Sequence, residues 1–238
     1  MSRNTSPTAP AAPAPADMPR PAIGQVTWDS EGTEGGRYHS RVPHVPGSTS
    51  GLTIGRGYDL KHRNAGQVVN DLVASGVDMA LARRIAAGHG ISGDAARNFI
   101  AENQLDAVEI SPQAQKVLFE RAYRAEETEA RRLATKPDVT KKYGKTDWDK
   151  LHPAIREMVV DLKFRGDYGP AQRTVIQPAI AANDLERFAR LLSDAALWGS
   201  VPPDRFRRRR EFISKAVAAE RATRLAAQPA PGFSLRLP

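Results

Sequence analysis

The chain has 238 residues, with 35 Lys and Arg against 27 Asp and Glu, a net charge of +8 and no cysteine. Disulfides and thiolate chemistry are therefore excluded, and no apolar run approaches the roughly 18 residues that a bilayer span requires. The positive charge favours an anionic partner: nucleic acid, a membrane surface or a cell-wall polymer.

The N-terminal tract PTAPAAPAPADMPRP cannot build a packed core, and residues 1–22 are expected to be a semi-extended linker or a plain disordered tail. It lacks the apolar centre of a secretory signal, so a protein acting outside the cytoplasm would need another export route. Ile23 to Trp28 reads as a short strand or the start of a helix, leading into Asp29-Ser30-Glu31-Gly32. Residues 34–50, EGGRYHSRVPHVPGSTS, are loop-like from their Gly and Pro content. Tyr38, His39, Arg41 and His44 lie here, side chains suited to stacking on sugars or holding carboxylates.

Ser50 to Leu60, SGLTIGRGYDL, is the most structured signal in the chain. Leu52-Thr53-Ile54 is β-favourable, and Gly55-Arg56-Gly57 supplies turn chemistry. If those three residues form a hairpin loop, Thr53 and Asp59 fall opposite each other, with Cβ atoms roughly 5 Å apart. In one straight strand they would lie about 20 Å apart. Glu31 folded over that hairpin would complete a pair of carboxyl groups. Two carboxyls with a water between them suit inverting glycoside hydrolysis: one protonates the leaving oxygen and the other activates the water. A neighbouring threonine hydroxyl can hold that water as donor and acceptor.

The remainder is helical. Val68 to Ala74 has helical apolar spacing, Asp78 can cap a helix to Ala87, and a third runs from Asp94 to Leu105. Ser111-Pro112 opens a longer helix to about Leu133. Lys136 to Lys150 is read as a polar connection. Pro153 opens the next helix, in which Ile155, Met158, Val159 and Leu162 form a buried stripe and Gly166 ends the run. Asn183 is expected to cap a helix with Glu186 three residues on, burying Leu185, Phe188, Leu191 and Leu192. Trp198 and the RFRRRR run at Arg205 to Arg210 follow, and residues 226–238 are expected to be disordered.

The EG dipeptide followed by SGLTIGRGYDL resembles the active-site region of the phage lysozyme-like muramidases, in particular their pesticin-type toxin branch. The resemblance spans roughly residues 23 to 220, specific at the hairpin run and generic in the helices. It implies an α+β, predominantly helical domain over residues 23–225, with a small N-terminal β-hairpin lobe and a larger helical lobe around a cleft. It also implies that Glu31 is the general acid, that Asp59 and Thr53 position the water, and that the substrate is the β-1,4 bond between N-acetylmuramic acid and N-acetylglucosamine in peptidoglycan. Glu34-Gly35 is a second EG. Glu31 is favoured because its distance to Thr53 is nearer the family spacing. Arg56, Tyr58, Tyr38, His39 and Arg41 are the candidate substrate contacts.

No cofactor and no metal are expected, since the five histidines show no HExxH pattern. Resemblance to toxins implies an antibacterial effector or an endolysin. It would be made in the cytoplasm and act on the wall of a target bacterium, with an immunity protein and a delivery apparatus as partners. Two other classes compete: a nucleic-acid-binding protein using the Arg run, and a module that binds wall glycan without cutting it.

Overall fold

The computed structural model describes residues 19–36 and 38–227. The linker and tail expected at the chain ends therefore lie almost wholly outside the described residues. The described chain is predominantly helical, with one two-stranded antiparallel sheet, and it divides into two compact units.

The first unit covers Thr33 to Leu118. It holds β1 (Thr53–Ile54) and β2 (Tyr58–Asp59), paired Thr53 to Asp59 and Ile54 to Tyr58. The three-residue loop is as the sequence predicts, with Gly55 at φ 64° and Gly57 at φ 76°, a backbone region that glycine enters without steric cost. Period-two alternation then sorts the side chains. Leu52, Ile54, Tyr58 and Leu60 are fully buried on one face, and Thr53 and Asp59 share the other. Helices α2 (Ala65–Ala74), α3 (Met79–Ala86) and α4 (Gly93–Glu102) follow. Val68, Leu72, Ala82, Ile85 and Ala96 supply their buried sides. Asp78 caps α3 through the backbone N–H groups of Ala80 and Leu81. The hairpin part of the chain is thus not the small lobe expected, because three helices and the start of a fourth belong to the same unit.

The second unit covers Ile23 to Gly32 and the chain from Phe119 onward. Residues 25–30 form helix α1 (Gln25–Ser30), which settles the strand-or-helix alternative. α5 (Pro112–Thr135) begins in the first unit and enters the second at Phe119. The centre is α7 (Pro153–Arg165), whose stripe of Ile155, Met158, Val159 and Leu162 is fully buried. Around it stand α1, α8 (Pro170–Ala181), α9 (Leu185–Leu192) and α10 (Pro203–Ala226).

Three sequence expectations change here. Lys136 to Lys150 is not a plain polar connection: it carries α6 (Pro137–Tyr143) and a 3-10 turn at Trp148–Lys150, with Val139 and Trp148 buried. The N-cap of α9 is Asp184, which accepts from Arg187 N–H at 2.9 Å. Asn183 instead takes a left-handed φ of 52° and ties His152 N–H and the Lys150 carbonyl with its amide. Ala226, placed in the expected tail, is the last residue of α10, and the rest of that expectation beyond Ala227 lies outside the described residues.

Candidate active site

In the first unit, Thr53 and Asp59 stand side by side as the register requires. The Asp59 carboxylate is fixed at both oxygens: one accepts from Gly51 N–H at 3.0 Å, the other from Lys61 N–H at 2.7 Å. Charge-assisted bonds of this kind hold a carboxylate in one orientation. Gly51 matters through close approach, because a Cβ there would sit 2.3 Å from the Asp59 oxygen. The Thr53 hydroxyl donates to the Gly51 carbonyl at 3.2 Å, so its lone pairs remain to accept from a water. Asp59 is half-buried and Thr53 buried.

Glu31 lies in the second unit, at the C-cap of α1, where its N–H bonds to the Thr27 carbonyl at 2.9 Å. Its side chain keeps 21 % of its surface. Burial pushes its carboxyl above the usual range, against the opposing pull of Arg205. Arg205 on α10 bonds the Glu31 carboxylate with one nitrogen and the Asp161 carboxylate with the other, the latter at 2.6 Å. Asp161, buried on α7, also accepts from Arg209 Nε at 2.6 Å and from the Thr27 hydroxyl at 2.9 Å. Burial works against the charge of Asp161, but Arg209 and Arg205 hold its carboxyl below the usual range. One turn earlier on α7, burial also pushes the Glu157 carboxyl above the usual range, against the pull of the backbone at the start of α1. The sequence reading did not find Asp161, and it did not separate Arg205 and Arg209 from the rest of the Arg run. The signal it passed over was an Asp within an apolar stripe and two arginines at i, i+4.

Glu34, the alternative acid, lies in the first unit in a different setting. It accepts from Gln115 at 2.7 Å, Arg41 at 3.0 Å and Arg56 at 3.1 Å. Burial works against its charge, yet Gln115, Arg41 and Arg56 hold its carboxyl below the usual range. An acid must carry a proton near the working pH, so this environment suits a structural carboxylate.

The five candidate substrate contacts separate by exposure. Arg56 is nearly buried on Glu34. Tyr58 is fully buried on the core face, with its hydroxyl donating to Asp71 at 2.7 Å and Arg63 over its ring. Arg41 is buried between Glu34 and Glu109. His39 accepts from Gly35 N–H at Nδ1 and meets Glu109 at 3.1 Å through Nε2. These four brace the loop and hairpin. Tyr38 remains 45 % exposed, its ring 6.2 Å from that of His44. Among the described residues no cluster of His, Cys, Asp or Glu could hold a metal, and no helix is long and apolar enough to cross a membrane.

Fold and site together define a predominantly helical protein of two compact units. One carries a hairpin-borne hydroxyl–carboxylate pair, the other a carboxyl raised by burial beside a buried Asp–Arg cluster. The chain belongs to the family described as Domain of unknown function (DUF8812), whose match covers residues 24–210. No curated protein matches it.

Proposed function

We propose that the protein is a peptidoglycan muramidase of lysozyme-like fold, hydrolysing the β-1,4 bond between N-acetylmuramic acid and N-acetylglucosamine with inversion. The observation that carries the reading is the hairpin register, which sets the Thr53 hydroxyl directly opposite an Asp59 carboxylate held by two backbone N–H groups. In the proposed reaction Glu31, whose carboxyl burial pushes above the usual range, gives its proton to the leaving glycosidic oxygen. Asp59 takes a proton from a water that Thr53 helps to hold, and that water attacks the anomeric carbon from the opposite face. Arg205, tied to Asp161, orients the Glu31 carboxyl and would steady it once it has lost its proton. The resemblance extends the proposal to an antibacterial effector or endolysin acting on the bacterial wall, with an immunity protein as a partner in the effector case.

The nucleic-acid reading loses support from the arginines themselves. Arg205 and Arg209 are buried, and Arg207 and Arg208 pair with Glu211 and Asp204. The deciding experiment is digestion of purified peptidoglycan by wild type, Glu31→Gln and Glu34→Gln, with fragments identified by mass and reducing end. Reducing N-acetylmuramic acid ends from wild type and from folded Glu34→Gln, lost by at least about 100-fold in Glu31→Gln, are expected from general-acid removal. Intact activity in Glu31→Gln would refute the assignment. Anhydro ends would replace hydrolysis by transglycosylation.

A further inference from the structure

Strand β1 has a neighbour on each edge. On one side is Asp59 of β2. On the other is His44, from the loop that precedes the hairpin, in an antiparallel bridge with Thr53. The His44 N–H donates to the Thr53 carbonyl at 2.9 Å, and the Thr53 N–H donates to the His44 carbonyl at 2.8 Å. Both main-chain groups of Thr53 are therefore spent on His44. The pair with Asp59 on the opposite edge must be of the non-hydrogen-bonded kind, in which Cα atoms come within about 4.5 Å and side chains lie closest. Residues directly opposite across a ladder share a face. His44, Thr53 and Asp59 thus form a row on one face, spanning about 10 Å.

The ring of His44 has a defined polarity. Its Nδ1 lies 2.8 Å from the Val42 carbonyl, and a carbonyl only accepts, so Nδ1 carries the hydrogen. In a neutral ring Nε2 is then an acceptor. Among the described residues Nε2 meets no hydrogen-bond donor. Burial pushes the imidazole below its usual range, and neutrality at pH 7 follows. The exposed Tyr38 ring stands beside it. His44 and Tyr38 together offer one acceptor and one apolar ring surface next to the pair assigned to the water.

We infer that His44 is a third functional side chain of the hairpin face, its Nε2 accepting a hydrogen bond from a hydroxyl or acetamido N–H of the bound glycan. The inference rests on the hydrolase reading and adds a substrate contact to it.

Two variants separate this role from a structural one. In His44→Asn the amide nitrogen takes the place of Nδ1, keeps the Val42 bond and removes the distal acceptor. In His44→Gln a carbonyl oxygen reaches toward the position of Nε2. Both would be measured by steady-state kinetics on soluble glycan fragments from peptidoglycan, by equilibrium binding of the same fragments in a Glu31→Gln background, and by thermal melting. The expected result for His44→Asn is weaker binding and a higher KM by about tenfold, the value of one lost hydrogen bond at the upper end, with Tm retained and partial recovery in His44→Gln. Wild-type KM and binding in His44→Asn would overturn the inference, as would a fall in Tm with binding unchanged. A wild type that binds fragments without cutting them fails the hydrolase reading alone, since the effect of His44→Asn on binding still decides the contact. A wild type that neither binds nor cuts overturns both.

Discussion

Glu31 and Glu34 are three residues apart and chemically identical, yet their surroundings move their carboxyls in opposite directions. Burial raises Glu31; Gln115, Arg41 and Arg56 overcome burial and lower Glu34. The consequences for stability have opposite signs. A carboxyl raised on folding contributes below its unfolded pKa, near 4.5, and the contribution is lost as pH rises through the folded value. At pH 7 the charge of Glu31 therefore opposes folding. A carboxyl lowered on folding contributes above its unfolded pKa and loses that contribution as pH falls through the folded value. Glu31→Gln is accordingly expected to stabilise the protein at neutral pH by about 1 kcal/mol, a gain typical of substitutions that relieve a functional site, and to lose the gain in acid below the unfolded pKa. Glu34→Gln is expected to cost about 2 kcal/mol at neutral pH, the value of charge-assisted bonds broken. Thermal melts of both variants at neutral and acid pH check this, and equal signs at neutral pH would erase the distinction. From sequence, the two EG dipeptides differ only in their distance to Thr53. What separates them physically is a set of partners up to 174 residues away, from Gln115 to Arg205, and no local pattern encodes such partners.

Elements were legible where their signals are local. The hairpin register followed from alternation and two glycines, and the stripe of α7 from apolar spacing. α8 escaped because it has a proline at position 178 and only a weak apolar bias, although Pro170 marks its start. α6 is short, and Val139 is its one buried residue. The Arg run of α10 illustrates a different limit. A sequence of arginines shows charge but not which faces are covered, and helical geometry divides them. Arg205 and Arg209, one turn apart, face Asp161 on α7, while Arg207 and Arg208 face solvent and pair within α10. A buried charge cluster broken on one side leaves uncompensated charge, at a cost of about 3–5 kcal/mol. Asp161→Ala should therefore lower stability by that amount, whereas Arg208→Ala, at an exposed i, i+4 pair, should cost under about 0.5 kcal/mol. Guanidinium unfolding midpoints at constant slope measure both. Comparable small costs would mean that Asp161 does not anchor Arg205, and with it would go the proposed support of Glu31.

At the scale of the whole molecule the predominance of helix was legible from apolar periodicity and capping signals, but the division into units was not. The sequence marks a hairpin, and nothing local announces that α2, α3 and α4 belong with it while Glu31, only a few residues before Thr33, belongs with the C-terminal helices. The charge tells its own story at this scale. The net +8 survives the internal pairing of Arg41, Arg56, Arg205 and Arg209, because each ion pair removes one charge of either sign. A basic protein acting on an anionic wall gains encounter rate from long-range attraction, which salt screens over a Debye length falling from about 14 Å to about 6 Å between roughly 0.05 M and 0.3 M. Chemistry at a half-buried carboxyl is screened far less. Clearing of insoluble, anionic wall fragments is therefore expected to slow several-fold over that salt range, while turnover of a short neutral glycan fragment stays within about a factor of two. Equal salt dependence on both substrates would place the effect in the site rather than in the field around the molecule. If instead duplex DNA binds with a steep salt dependence that Glu31→Gln leaves untouched, the surface charge serves nucleic acid, and the carboxyl raised by burial at the C-cap of α1 would need another explanation.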